Sequence, residues 1–156
     1  MGLSLKGRAL KCLAAREHSR LELTRKLAPH AETPEQVDQA LDDLQAKGLL
    51  SNERFAESMV RRKAARFGTA RLKAELAQHR LSAEITQPIT QQLQATEFER
   101  AQALWQRRFG ELPDSLEARA KQMRFLAGRG FSGEVIRQVM RRAMRHAESG
   151  EHGWED

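Results

Sequence analysis

A ten-residue pattern recurs along this chain at a nearly constant interval. Residues 76–85 have the sequence LAQHRLSAEI, and residues 126–135 have the sequence LAGRGFSGEV, which aligns with the first without a gap. A looser copy, one residue longer, begins at Leu27, so that the copies start 49 and 50 residues apart. A fixed period of this size is typical of repeat proteins, in which each unit is one supersecondary element packed on its neighbours.

Helical patterning fills the chain. Leu, Ala, Arg, Gln and Glu dominate, and no run alternates apolar and polar residues between turns as a strand would. Four residues have Glu or Gln three positions later, the spacing of a capping box at a helix start: Ser19, Thr33, Thr96 and Asp114. The sequence therefore predicts nine helices, at 4–17, 19–29, 33–47, 52–67, 69–80, 82–93, 96–109, 114–128 and 132–147.

We predict an all-α fold built as a tandem array of three three-helix repeats, at 4–50, 51–94 and 95–147. A unit of about 50 residues is close to the lower limit for an independent core, so the units should support each other. Pro88 conflicts with the sixth helix, which should be kinked there or begin later, near Gln87. The tail 148–156 carries four acids and two glycines, and we predict that it is disordered.

Apolar residues at helical spacing identify the expected core. Leu27, Leu76 and Leu126 occupy equivalent positions of the repeat and should be buried. Cys12 lies among leucines and is interpreted as a small core residue. In the last helix one half of the helical wheel is apolar, which predicts a buried face made of Val135, Ile136, Val139, Met140, Ala143 and Met144.

Composition restricts the compartment and the chemistry. The single cysteine excludes an internal disulfide and indicates a reducing cytoplasm. No apolar run is long enough to span a bilayer, and we expect a cytoplasmic monomer with no membrane association. The sequence has no Gly-rich phosphate loop, no paired-cysteine or paired-histidine metal motif and no nucleophile elbow. We predict a non-enzymatic protein with no catalytic residues, no cofactor and no metal.

Positive charge is concentrated in two places on a chain of net charge +6. Residues 54–80 contain eight Lys or Arg against two acids, and the last helix carries four Arg on the face opposite its apolar stripe. An ordinary solvated surface is the alternative, but unneutralised arginines favour a polyanionic partner. The predicted contact residues are Arg61, Arg62, Arg66, Arg71, Lys73, Arg137, Arg141, Arg142 and Arg145.

Four segments, in order, resemble the RecX family of regulators of the RecA recombinase. They are Arg16-x-His18-Ser19-x-x-Glu22-Leu23-x-x-Lys26-Leu27, Gly48-Leu49-Leu50-Ser51-Asn52-Glu53-Arg54-Phe55-Ala56, Gly68-Thr69-Ala70-Arg71-Leu72-x-x-Glu75-Leu76 and Phe125-Leu126-x-x-Arg129-Gly130-Phe131-Ser132. The resemblance covers about residues 5–145.

The resemblance implies an elongated, curved protein that binds in the groove of the RecA–DNA filament. It implies inhibition of strand exchange, ATP hydrolysis and coprotease function, with RecA as the partner and DNA phosphate as a second candidate contact. The alternative is a basic helical-repeat protein that binds DNA through helix-turn-helix-like units. A recognition helix would then need amide side chains facing the bases, and the last helix offers only Gln138.

Overall fold

The computed structural model describes residues 2–152, and the side chains of residues 2–149. All regular structure in this range is helical, as predicted, and consists of nine α-helices and one short 3₁₀ turn. The α-helices are α1 (Leu5–Ala15), α2 (Arg20–Leu27), α3 (Pro34–Ala46), α4 (Asn52–Lys63), α5 (Thr69–Ala77), α6 (Ala83–Ala95), α7 (Glu97–Arg108), α8 (Leu116–Gly128) and α9 (Gly133–His152); the 3₁₀ turn is Ala28–His30.

Helices α1, α2 and α3 pack against one another around an aliphatic core. Its buried members are Ala9, Leu23, Leu27, Val37, Leu41, Leu44 and Leu50, with Cys12 half-buried at the edge. Helix α2 begins where the sequence predicts. The Ser19 hydroxyl accepts the Glu22 amide N–H at 3.1 Å, and the Ser19 amide donates to the Glu22 carboxylate at 3.1 Å. This reciprocal pair satisfies two amides that have no partner inside the helix.

Helices α7, α8 and α9 form a second packed group with its own core. Its buried members are Ala101, Leu104, Trp105, Leu126, Phe131, Ile136, Val139 and Met140. The indole N–H of Trp105 donates to the side-chain oxygen of Gln122 at 2.8 Å, and the Gln122 amide donates to the Glu111 carbonyl at 3.1 Å. These bonds satisfy the polar atoms that the core encloses.

The chain divides into two compact units, and three helices contribute to both. The first unit comprises the residues up to Val60 together with 75–87, and the second comprises 61–74 and the residues from Pro88 onward. Helices α4, α5 and α6, which the sequence assigns to the middle repeat, each supply residues to the two units. The repeat boundaries therefore remain a prediction from the sequence period. The burial of Leu27, Leu76 and Leu126 is confirmed.

Within the second unit, two glycines allow two backbones to meet. The Gly68 amide donates to the Arg129 carbonyl at 2.7 Å. A Cβ on Gly68 would overlap the Gly130 carbonyl, and a Cβ on Gly130 would meet the Cβ of Arg71. Gly130 also has φ +94°, a conformation that disfavours residues with a side chain. Only glycine at both positions permits this contact.

Arg100 on α7 ties together the ends of helices α4 and α6. Its guanidinium donates to the carbonyls of Ala64 at 3.0 Å, Phe67 at 2.6 Å and Leu93 at 2.7 Å. It also donates to the hydroxyls of Thr96 and Thr69, each at 3.1 Å. These carbonyls lie at or just past helix C-termini, where intrahelical donors are missing and a cation is favoured.

Burial lowers the pKa of the Arg100 guanidinium from its usual range, and the nearby Glu97 carboxylate partly offsets that effect. The charge of Arg100 is thus held mainly by backbone dipoles.

Two predicted capping boxes do not form. The Thr96 hydroxyl donates to the Gln92 carbonyl at 3.1 Å and forms no side-chain cap, because α7 begins almost directly after α6 ends. At α8 the cap is Ser115, whose hydroxyl accepts the Ala118 amide at 3.0 Å, so Asp114 lies outside the helix. Thr33 does cap α3 through its side chain.

Helix α6 includes Pro88 in its interior and begins at Ala83, so the proposed later start at Gln87 is wrong. The proline leaves the carbonyl four residues earlier, at Glu84, without a backbone donor.

Two expectations for the last helix also need correction. Helix α9 continues to His152, so residues 148–152 are helical and not disordered, and the two Glu in this stretch favour helix; residues 153–156 of the predicted tail lie outside the described residues. Met144 is 48% exposed. It lies about 80° around the helix from Ile136, at the margin of the apolar stripe.

Candidate interaction surface

All nine predicted contact residues lie in the second compact unit, and all are exposed: Arg61, Arg62, Arg66, Arg71, Lys73, Arg137, Arg141, Arg142 and Arg145. The last part of α4, the following turn and α5 position the first five. Helix α9 positions the other four. The two groups therefore come from different parts of one unit.

Arg66 and Arg71 are brought together by the ring of Phe67. Their guanidinium carbons lie 5.3 Å and 4.1 Å from the ring centroid. Helix α4 ends at Lys63, four residues earlier than predicted, so Arg66 lies in the following turn. Arg71 also makes a long hydrogen bond to the Gly128 carbonyl at 3.5 Å.

Helix α9 presents its arginines on two sides of the buried stripe. Arg137, Arg141 and Arg145 face away from Ile136 and Val139 on the helical wheel. Arg142 lies on the flank and stacks at 5.8 Å over Phe98. An open groove of about 670 Å³ between α7 and α9 is lined by Glu99, Gln102, Ala103, Gln106, Arg142, Arg145, His146 and Ser149.

The second unit carries the whole net charge of the protein. It contains 17 Lys and Arg against 10 Asp and Glu, a formal charge of +7, whereas the first unit contains 10 against 11. Ion pairs also neutralise five of the ten cations of the first unit: Lys6, Arg16, Arg20, Lys47 and Arg54 each lie within 4.0 Å of a carboxylate. Among the described residues, no carboxylate lies that close to Arg66, Arg71, Arg137, Arg141 or Arg145.

A polar cluster in the first unit is structural. The Arg16 guanidinium lies 2.6 Å from the Glu22 carboxylate. Burial would raise the pKa of Glu22, but hydrogen bonds from Arg16 and the Ser19 amide outweigh it and lower the pKa to about 2. Ser19 Oγ lies 2.8 Å from His79 Nδ1, and this serine is fully buried and caps α2, which gives its hydroxyl a structural role.

Two histidines border this cluster, and burial lowers the pKa of both. His18 is buried, with its two ring nitrogens next to the Arg16 carbonyl and the Lys26 ammonium, each at 3.0 Å. The ring of His79 packs 4.5 Å from that of Phe55. Both imidazoles therefore favour the neutral form in the folded chain.

Sequence reasoning missed three arginines of the second unit. Arg100 ties helix ends, Arg108 stacks on Phe109 and Phe125, and Arg129 stacks between two phenylalanine rings. A signal was present for Arg108, which falls within the apolar arc that α7 presents to the core, whereas Arg100 lies just outside that arc. An arginine in an apolar arc must bury its stem or its head.

The described residues contain neither a metal-ligand cluster nor a membrane-spanning helix. No group of three or more His, Cys, Asp or Glu side chains there is arranged to hold a metal ion. Each helix in the same range is too short or too polar to cross a lipid bilayer.

Three family models match successive parts of the chain. They describe the first, second and third three-helix domains of RecX and match residues 6–44, 51–87 and 95–140. The chain is 53% identical over 149 residues to "Regulatory protein RecX" of Ralstonia pickettii (strain 12J), a match that covers 96% of this chain and 94% of that protein. It is 55% identical over 141 residues to "Regulatory protein RecX" of Leptothrix cholodnii, with 90% of each chain covered.

A solved structure shows the same fold at low sequence identity. The crystal structure of RecX from Lactobacillus salivarius superposes with a TM-score of 0.73 at 20% identity, over 89% of this chain and 94% of that one. The helices, the three successive domain matches and the high identity to curated relatives agree with one another. The chain therefore belongs to the RecX family.

Proposed function

We propose that this protein regulates the RecA recombinase by binding the RecA–DNA filament, and that it restrains strand exchange, ATP hydrolysis and coprotease activity. The proposal is supported by membership of the RecX family and by relatives named regulatory proteins. It includes a non-catalytic mode of action, as a cytoplasmic monomer.

The observation that carries the proposal is the surplus of exposed arginine in the second unit. A net charge of +7 on one compact unit creates a field that attracts polyanions. Arg137, Arg141 and Arg145 have no carboxylate partner among the described residues. A filament of nucleic acid and protein offers phosphates, which suit the forked guanidinium geometry.

The test is charge reversal on α9. We expect the triple variant Arg137→Glu, Arg141→Glu, Arg142→Glu to keep its helical circular dichroism signal, because exposed charges contribute little to stability. The variant should inhibit RecA ATPase on single-stranded DNA more weakly than the parent. Raising the salt concentration should weaken inhibition by the parent in the same way. The matched control reverses Arg119, Lys121 and Arg124 on α8, three exposed cations of the same unit.

A folded α9 variant that inhibits RecA as strongly as the parent does would show that this face is not part of the binding surface. A pull-down that compares RecA filaments with bare single-stranded DNA identifies the partner. Retention on duplex DNA alone, with no effect on RecA, would support the DNA-binding alternative instead.

A further inference from the structure

Four arginines of the second unit lie over two phenylalanine rings, Phe67 and Phe125. Arg66 lies 5.3 Å from the centroid of the Phe67 ring. Arg71 and Arg129 flank the ring of Phe67 at 4.1 Å and 5.4 Å. Arg129 also lies 5.0 Å from the ring of Phe125, and Arg108 lies 5.4 Å from that same ring. We call Arg66, Arg71, Arg108 and Arg129 the stacked-arginine row.

Local backbone structure holds the row in place. Arg129 is the C-cap residue of α8, and its carbonyl accepts a hydrogen bond from the Gly68 amide. This backbone contact between Gly68 and Arg129 brings the segments that contain Arg71 and Arg129 together. Phe109 packs edge-on to Phe125 with ring centroids 5.4 Å apart, which fixes the ring beneath Arg108. The row is therefore continuous from α5 through the end of α8 to the end of α7.

The row has no acidic counterpart within the described residues. None of its four guanidiniums lies within ion-pair distance of a carboxylate there, although Arg16, Arg20 and Arg54 of the first unit all do. Arg66, Arg71 and Arg108 are exposed and Arg129 is half-buried. Four cations close together without an anion are a site that an external anion can complete.

Stacking also defines which anion fits. A guanidinium with one face covered by a ring keeps the N–H groups of its edge available in a fixed plane, and such a fork matches phosphate oxygens. The ordering of these long side chains occurs when the protein folds, so less conformational entropy is lost on binding. All four positions are Arg and none is Lys, as bidentate phosphate recognition requires.

The spacing of the row suits a polymer of phosphates. Arg71, Arg129 and Arg108 are linked by shared rings, each at most 5.4 Å from a guanidinium carbon, so neighbouring guanidiniums are no farther apart than twice that distance. A nucleic-acid strand carries one phosphate per roughly 3.4 Å of helix axis. Successive arginines can therefore meet successive or alternate phosphates of one strand.

We propose that the stacked-arginine row binds the phosphodiester backbone of a polynucleotide strand directly. The proposal rests on the proposed function and deepens it, since it assigns this part of the surface to nucleic acid and not to protein carboxylates. Binding through phosphates carries no base preference.

The experiment measures the affinity of the full chain for a fluorescein-labelled single-stranded DNA by anisotropy over a series of salt concentrations. The variant is Arg108→Gln with Arg129→Gln, and the matched control is Arg119→Gln with Arg124→Gln, which removes the same charge from exposed positions of α8. Circular dichroism verifies folding. A second row variant, Arg66→Gln with Arg108→Gln, changes two exposed positions and replaces the first variant if that one is unstable.

We expect the row variant to bind about tenfold more weakly than the parent at low salt, and the slope of log affinity against log salt to fall by about 1.4, for two lost phosphate contacts on a single strand. In the control variant, both the affinity and the salt slope should fall much less. Equal losses in the two variants, or none in the row variant, would overturn the proposal. So would a parent that has no affinity for bare DNA at low salt.

A parallel RecA ATPase assay separates this proposal from the proposed function. If the row variant binds DNA like the parent and the parent inhibits RecA, the row proposal fails and the proposed function stands. If the parent leaves RecA unaffected while the row variant alone loses DNA affinity, the proposed function fails and the row proposal stands.

Discussion

Replacement of Arg100 by methionine tests whether one side chain holds the ends of two helices together. Methionine keeps an unbranched stem in the same space but removes every donor, so the carbonyls of Ala64, Phe67 and Leu93 lose their charged partner. Hydrogen bonds to a charged group contribute about 1.5–3 kcal/mol each. The desolvation of the guanidinium, visible in its lowered pKa, offsets a large part of that gain.

A net loss of about 1 kcal/mol per orphaned carbonyl gives a destabilisation of about 3 kcal/mol. For a chain of this length that corresponds to a fall of about 6–12 °C in Tm. Thermal and urea unfolding followed by circular dichroism at 222 nm measure it. Arg100→Lys should lose most of the same stability, because one ammonium cannot reach five acceptors that diverge around a planar fork.

The matched control is Arg107→Met on the same helix. Arg107 is exposed and makes one backbone contact, to the Ala65 carbonyl at 2.8 Å. Its loss should cost about 0.5 kcal/mol, as for an ordinary surface substitution. If Arg100→Met were no less stable than Arg107→Met, the bonds seen at Arg100 would carry no net stability and the reasoning would be refuted.

Gly68→Ala should destabilise the fold by about 3 kcal/mol, because the added methyl overlaps backbone that cannot move aside; Gly128→Ala meets open space and should be neutral or slightly stabilising in the same denaturation assay. Leu126→Ala should cost about 2–5 kcal/mol by thermal unfolding, whereas Leu116→Ala, at a side chain that is 86% exposed, should shift Tm little. The folded pKa of Glu22 is lowered from 4.5 to about 2. Its stabilisation, about 1–2 kcal/mol because solvent screens this partly exposed pair, is thus present above pH 4.5 and is lost as pH falls toward 2, so Glu22→Gln should flatten the acid limb of a pH–stability curve; an unchanged limb would contradict the assignment.

Sequence period and helix chemistry were enough to predict the helices. The nine segments correspond one to one with the α-helices of the described residues, because capping at Ser19 and apolar spacing act locally. Errors occurred where tertiary context decided. Thr96 satisfies the correct spacing, yet the preceding helix ends too close to it for its hydroxyl to cap α7.

The sequence predicted the positive charge of the candidate surface, but it did not predict the contacts that its side chains make. Counting arginines identified the basic residues between positions 61 and 73 and those of the last helix, but it did not show the rings beneath Arg71 and Arg129. Those rings are half-buried, and each has at least two guanidinium carbons within 5.4 Å of its centroid. Sequence spacing cannot show this, because Phe67 and Arg129 are brought together by the contact between Gly68 and Gly130.

The unequal charge of the two compact units has a consequence for the kinetics of encounter. A formal +7 on one unit steers an approaching polyanion toward it before any contact forms, and such steering raises association rate constants by about 10–10³. The Debye length at physiological ionic strength is about 8 Å, so the steering acts over roughly one helix diameter and fades as salt is added. Removing cations anywhere on the second unit should therefore slow capture, whereas only those in close contact with the partner set its residence time.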